Sequence, residues 1–231
     1  MKRIGILGGV SPESTVSYYL RITREYTRRF GDYGYPEILI YSVSFQRFVD
    51  WQRVGDWEAM AVEMKKGFRA LAEAGAQIGL IAANTLHHVF DKVEKDSPIP
   101  LIHIVDPTAT AIKEKGLTRV GLIGTRYTME GDFYRNRLAG HRISTLIPSP
   151  EERTEIHRVI YEELTRGIVK QESKQYYLSV IDGLVRQGAE GVILGCTEIP
   201  LLVHPEDLPV PSFDTAALHA DAALTAALLF E

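Results

Sequence analysis

Short apolar runs rich in Ile, Val and Leu recur along the chain, and longer stretches with helical spacing separate them. Eight such runs read as strands: "RIGILG", "EILIYS", "IGLIAA", "LIHIV", "RVGLIG", "STLIP", "GVILGC" and "VPSFD". Helical patterns occupy residues 13–28, 56–74, 129–138 and 151–166, and Asp214 is placed as the N-cap of a final alanine- and leucine-rich helix. Strands alternating with helices predict βα units and a parallel sheet. No low-complexity or linker-like segment interrupts the pattern.

The pattern also repeats itself. "GAQIGLIAANTLHH" begins at Gly75 and "GAEGVILGCTEIPLL" at Gly188, with Ala83 and Cys196 each eight residues after the leading glycine. "IGILGGVSPESTVSYY" from Ile4 has its counterpart in "VGLIGTRYTMEGDFY" from Val120, and "PLIHIVDPTATAI" from Pro100 in "PVPSFDTAALHA" from Pro209. Three landmarks in the same order predict two pseudo-symmetric α/β halves, the second starting near Leu117. The expected fold class is therefore α/β, with two parallel-sheet domains: residues 1–105 plus 210–231, and residues 106–209. Ligands of open α/β sheets bind beyond the carboxyl ends of the strands. The active site is thus expected in the cleft between the halves, with Ala83 and Cys196 on opposite walls. A planar carbanion has two faces, so a group on each wall would let a proton leave one way and return the other.

Composition narrows the function. A 45% hydrophobic, 24% charged chain is an ordinary globular one, and a net charge of −4 disfavours nucleic acid as a partner. A single cysteine makes no internal disulfide, and "MKRIGILGGV" is followed by "SPES" with no cleavage pattern, so a cytoplasmic location is expected. The most apolar late stretch, "TAALHADAALTAALLF", is too short to span a bilayer comfortably and contains His219 and Asp221. No membrane partner is expected. The seven histidines lack paired zinc spacings, so no metal is expected. "GILGGV" is no dinucleotide fingerprint, because the third glycine is missing, and nothing calls for pyridoxal phosphate or another cofactor.

Candidate chemistry gathers at the strand ends. In "GCTEIP" the thiol of Cys196 ends a strand where a new helix would begin, a position that lowers a thiol pKa. The competing reading is a buried, inert cysteine. "SPEST" is a helix start, with Ser11 as cap and Pro12 in the first turn, whose bare N–H groups also suit a carboxylate. "GTRYTME" is its mirror, with the hydroxyls of Thr125 and Thr128 available as donors. "WQRVGDW" holds Gln52 and Arg53. Arginine suits bidentate carboxylate recognition, although an exposed helix cation is the ordinary alternative. Lys170 is a looser cationic candidate, and Trp51 and Trp57 read as packing residues.

"IGILGG", "NT" followed by His, and "GCTE" resemble the aspartate/glutamate racemase superfamily, specifically its cofactor-independent amino-acid racemases, over essentially the whole chain. "SPEST", "QRVGDW", "GTRYTMEGDFY", "GCTEIPLLV" and "FDTAALHA" are similar to its L-aspartate/glutamate-specific branch. The resemblance implies racemisation of an acidic amino acid by two side chains working on opposite faces of Cα, usually two cysteines. Cys196 matches the second position. Ala83 stands at the first, where the branch carries Cys or Thr, and a methyl group has no acid, base or hydrogen-bonding capacity. Three accounts stay open: a substitution has emptied position 83, the enzyme is one-sided, or another group, such as neighbouring His87 or His88, stands in. Both histidines read first as packing or capping residues. The resemblance further implies that Asn84, Thr85, Thr197 and Glu198 hold the α-carboxylate and ammonium. Gln52 and Arg53 would hold the distal carboxylate, with Val10, Thr125, Thr128 and Lys170 also at the substrate. A homodimer is compatible with the resemblance. Two other functions remain: a single-cysteine enzyme of the arylmalonate decarboxylase type, and a non-catalytic amino-acid binder.

Overall fold

A computed structural model describes residues 1–229, so positions 230 and 231 of the expected first half lie outside the described residues. The chain forms two compact units, Met1–Ile104 with His219–Glu231, and Val105–Leu218.

In the first unit the strands are β1 (Ile4–Gly8), β2 (Ile38–Ser42), β3 (Ile78–Ile81) and β4 (Leu101–Ile102). They form a parallel sheet in the order β2-β1-β3-β4. β1 and β3 are buried along their whole length, as central strands covered on both faces must be. The helices are α1 (Pro12–Phe30), α2 (Phe45–Val54), α3 (Trp57–Glu73) and α4 (Phe90–Glu94). The Ser11 side chain caps α1 by accepting from the Ser14 N–H, and Gly31 ends it in the left-handed region at φ 77°. The Asp56 side chain caps α3 through the Ala59 N–H. Trp51 and Trp57 pack against the apolar cluster built on Met60, Met64 and Phe68, in keeping with their reading as packing residues.

The second unit repeats the plan. Its strands β5 (Arg119–Gly124), β6 (Ser144–Leu146), β7 (Val192–Gly195) and β8 (Ser212–Asp214) are parallel in the order β6-β5-β7-β8. The first sheet's order maps onto it strand for strand. Its helices are α5 (Val105–Glu114), α6 (Arg126–Glu130), α7 (Asp132–Gly140), α8 (Pro150–Glu162) and α9 (Gln171–Arg186). A reciprocal capping box between Ser149 and Glu152 starts α8.

All eight apolar runs named above contain a strand. The helices differ more. The pattern at 129–138 is two helices, α6 and α7, parted at Gly131, which adopts extended backbone (ψ 133°). The pattern at 151–166 ends as α8 at Glu162, followed by a 3-10 turn, Leu164–Arg166, that Gly167 stops at φ 71°. α2, α4, α5 and α9 lie outside the helical patterns named above.

The expected placement of residues 210–231 in the first half is corrected in part. β8 completes the second sheet by pairing with β7, so residues 210–218 fall in the second unit. The last helix, α10 (Thr215–Leu228), belongs to the first unit only from His219 onward. There His219 Nε2–H donates to the Ile102 carbonyl at 2.8 Å, and the Tyr18 hydroxyl donates to its Nδ1 at 2.9 Å. Arg21 grips Asp221 with two bonds of 2.7 and 2.6 Å. Asp214 does cap α10: its Oδ1 accepts from the Ala216 and Ala217 N–H groups, each at 3.0 Å.

Candidate active site

Strand register makes Ala83 and Cys196 equivalent. In the second sheet Gly124 pairs with Gly195, and Cys196 is the next residue. In the first sheet Leu7 pairs with Ile81, which sets Gly8 against Ala82, and Ala83 is the next residue. Each therefore lies one step beyond the matching pair at a strand's carboxyl end. Gly124 and Gly195 must stay small, since a Cβ on Gly124 would come within 2.7 Å of the Gly195 carbonyl oxygen.

The end of β3 is held by short hydrogen bonds. Ser14 Oγ donates to the Ala82 carbonyl at 2.6 Å, so "SPEST" supplies a strand-end anchor as well as a cap. Gly9, at φ 93°, lets the chain leave β1 sharply, and Thr15 Oγ1 accepts its N–H at 2.8 Å. Val10 is half-buried against the first unit's apolar cluster. Asn84 and Thr85 are buried directly after Ala83, where a 3-10 turn, Thr85–Val89, begins.

His87 is no replacement base. The Ile104 N–H donates to its Nε2 at 3.2 Å, so the proton sits on Nδ1, which donates to the Ala83 carbonyl at 2.9 Å. Both nitrogens are engaged with backbone, and burial, aided by His103 and His219, holds the imidazole well below its ordinary pKa. His88 is exposed and lies 4.1 Å, centroid to centroid, from the Trp57 ring.

At the end of β7 the chain turns into a 3-10 turn, Ile199–Leu201. Cys196 Sγ–H donates to Glu198 Oε2 at 3.0 Å, and Thr197 Oγ1–H donates to the same oxygen at 2.6 Å. The expectation of a lowered thiol pKa is overturned. Burial pushes the thiol well above its ordinary value, and the adjacent Glu198 carboxylate adds to the effect. Backbone N–H groups of Thr197 and Glu198 oppose the shift but are outweighed, and the turn that follows, Ile199–Leu201, is 3-10 and not α-helical. Thr125 and Thr128 lie at the end of neighbouring β5, both buried, their hydroxyl oxygens 3.2 Å apart. Thr125 caps α6.

Two tyrosines near Cys196 were missed by sequence reasoning. Tyr161 on α8 and Tyr177 on α9 are pushed above their ordinary pKa by burial first, and also by negative charge that includes Cys196. The Tyr177 hydroxyl donates to the Ile156 carbonyl at 2.9 Å, and the Tyr161 ring lies 4.7 Å from that of His157. The i, i+4 pair His157–Tyr161 was the one available signal, and helical spacing alone does not say which face it serves.

The remaining candidates are less concentrated. Gln52 is buried on α2, whereas Arg53 beside it has a side chain 77% exposed and is 3.5 Å from Asp50. Lys170 precedes α9, where its ammonium donates to Glu163 at 3.2 Å. Glu163 was also missed. This buried carboxylate additionally accepts from Ser173 at 2.7 Å and Arg158 at 3.2 Å. Among the described residues, no group of three or more His, Cys, Asp or Glu side chains is placed to hold a metal ion. No described helix is long and apolar enough to cross a membrane.

Comparison with known proteins follows the same lines. A family profile described as Asp/Glu/Hydantoin racemase matches residues 7–223. The chain is similar to a Yersinia pestis structure described as a candidate Asp/Glu racemase, with 43% identity, TM-score 0.92, and coverage of 99% of this chain and 100% of that one. It is also similar to an aspartate racemase homologue from Pyrococcus horikoshii OT3, with 39% identity, TM-score 0.86, and coverage of 99% and 100%. The broad specificity amino-acid racemase RacX of Bacillus subtilis (strain 168) is 21% identical over 99% of both chains.

Proposed function

Because the chain belongs to the Asp/Glu/hydantoin racemase family, we propose that it moves the α-proton of an acidic amino acid, aspartate or glutamate, with Cys196 as the acid/base on one face of Cα. Position 83 is the place of the partner on the other face. The observation that carries this reading is the register equivalence of residues 83 and 196, with chemically polar residues directly after each: Asn84 and Thr85, Thr197 and Glu198.

In this mechanism the sulfur takes the α-proton and the electron pair left on Cα spreads into the α-carboxylate. Protonation of the resulting carbanion completes the cycle. Donors from Asn84, Thr85, Thr125 and Thr128 would orient the α-carboxylate and steady the charge that develops there. Gln52 and Arg53 would hold the distal carboxylate, with Lys170 as a second cation. General acid–base catalysis contributes about 10²- to 10⁴-fold per group, so the missing partner at position 83 should cost at least that much in full racemisation.

A second reading has its own support. Ala83 carries no proton-transfer group, and both ring nitrogens of His87 are bonded to backbone. This favours one-sided proton chemistry, in which Cys196 exchanges or delivers a proton on a single face. The test is incubation of each enantiomer of aspartate and glutamate in deuterium oxide, followed by mass spectrometry and chiral chromatography. Deuterium incorporation that Cys196→Ala abolishes supports the acid/base role. Interconversion of enantiomers then separates racemase from one-sided enzyme. Binding of the amino acid without any exchange would leave only the binder.

A further inference from the structure

Two peptide planes meet at the Cα of residue 83, one carrying the Ala82 carbonyl and the other the Ala83 carbonyl. Side chains from outside β3 grip both. Ser14 Oγ on α1 donates to the first at 2.6 Å, and His87 Nδ1–H donates to the second at 2.9 Å. The backbone has only two soft dihedral angles per residue, so holding both planes fixes the direction in which the side chain of residue 83 leaves Cα. The His87 ring reaches further, because its Nε2 accepts from the Ile104 N–H at 3.2 Å, two residues beyond β4. One imidazole thus ties the end of β3 to the chain that leaves the neighbouring strand.

Such a bridge works in one protonation state. Nδ1 must carry the proton, and Nε2 must keep its lone pair, because Ile104 offers an N–H. The ring is buried, with Phe90 stacked 5.4 Å away, centroid to centroid. The titratable groups facing it are His103 at 4.6 Å and His219 of α10 at 5.8 Å. His219 is itself committed to the Tyr18 hydroxyl on α1 and the Ile102 carbonyl. The second unit builds the matching strand end without an imidazole. Pro200 stands four residues after Cys196, as His87 stands four after Ala83, and its side chain has no donor. There the Cys196 carbonyl accepts from the Ile199 N–H at 3.2 Å. A turn at this place in the fold therefore forms without the histidine.

We propose that His87 is a positioning residue for residue 83, a neutral imidazole that aims the side chain there and, through the same peptide, Asn84. The proposal rests on the reading of position 83 as the place of the partner to Cys196. It gives His87 no contact with substrate and no share in proton transfer.

Two substitutions separate the halves of the bridge. In His87→Asn the amide nitrogen falls near the place of Nδ1 and can still donate to Ala83, but nothing reaches Ile104. In His87→Gln the amide oxygen falls near the place of Nε2 and can still accept from Ile104, while the Ala83 carbonyl loses its donor. Each is made in full-length Ala83→Cys and in the double variant Ala83→Cys, Cys196→Ala, whose single thiol reports on position 83. In the folded double variant, His87→Gln should change the iodoacetamide alkylation rate by up to about tenfold, the population shift one lost hydrogen bond produces. His87→Asn should return it toward the parent rate. In Ala83→Cys, His87→Gln should cut racemisation of aspartate or glutamate by about 10²-fold, as a misplacement of about 1 Å does, and His87→Asn should restore part of it. A purely structural imidazole would lower the urea midpoint of both variants alike and leave alkylation and racemisation of the folded proteins unmoved. That result would overturn the proposal, and so would a His87→Asn protein that loses as much as His87→Gln. If Ala83→Cys racemises nothing, the catalytic reading of position 83 is what fails, and alkylation still decides for or against the clamp. Histidine ¹⁵N spectra of the unsubstituted protein give a check that needs no variant to fold. They should show His87 as the Nδ1–H tautomer, still neutral as pH falls below the ordinary imidazole range; a proton on Nε2 near neutral pH would overturn the bridge.

Discussion

Ala83→Cys tests whether position 83 is an emptied catalytic position. Ala83 is 6% exposed and Cys196 9%, at equivalent points of two sheets with the same strand order, so a strand end of this kind already accommodates a thiol. The new sulfur would supply the missing acid/base group, a gain of about 10²- to 10⁴-fold for a well-placed one. The lower end is expected for a structural reason. Cys196 has Glu198 two residues on, whereas position 83 has Thr85 two residues on, which donates and accepts a hydrogen bond but is no base near neutral pH. About 10²-fold is therefore the expected rise in interconversion of aspartate or glutamate enantiomers, read by chiral chromatography against Cys196→Ala as the blank. Ala83→Thr should restore less, since a hydroxyl is a poorer acid–base group than a thiol. Rapid racemisation by the unsubstituted protein would refute the vacancy. A folded, ligand-binding Ala83→Cys protein that gains nothing would refute the equivalence of the two positions in catalysis.

Three further outcomes are expected. Arg53→Ala should weaken binding of aspartate or glutamate about tenfold, the worth of one charge-assisted hydrogen bond, with little effect on alanine; equal losses in calorimetry would shift the distal contact to Lys170. His219→Leu removes the bonds to the Tyr18 hydroxyl and the Ile102 carbonyl, each costing about 1–3 kcal/mol when broken in a buried place, so urea unfolding should report a loss of about 2–6 kcal/mol. A loss below about 1 kcal/mol would mean that α10 is held chiefly by its apolar face. Bonds from Arg28, with Arg29 in support, hold the Glu25 carboxyl down to about 2 from 4.5. Its stabilisation is therefore complete above pH 4.5 and is lost as pH falls toward 2. Arg28 is 72% exposed, so screening limits the effect to at most about 1 kcal/mol. The gap between wild type and Glu25→Gln in urea unfolding should close over that pH range, and a gap that widens in acid would contradict the assignment.

The strands were readable because their signal is local. A short run of Ile, Val and Leu with a glycine at its end needs two covered faces wherever it falls, and all eight runs found a place in a sheet. The duplication was readable for the same reason: "GAQIGLIAAN" and "GAEGVILGCT" carry the same local instructions and produce the same register. Helix ends were less legible. Gly131 breaks one pattern, yet a glycine in a helical run does not announce whether it will be tolerated, and another pattern gives way to a 3-10 turn after Glu162 with no glycine inside it. Which sheet β8 joins was not in the local pattern, since a three-residue strand is committed only by the edge of β7 that receives it. At the site, residue identities came from the sequence and their chemical states did not. Cys196 at a strand end suggested an acidic thiol. Only the tertiary structure brought Glu198 Oε2 to 3.0 Å and closed the surroundings over the sulfur, reversing the direction of the shift. His87 looked available for chemistry until Ile104 and Ala83 were seen to occupy both of its nitrogens. A pKa and a free lone pair depend on what lies within a few ångströms in space, and distant parts of the chain decide that only when it folds.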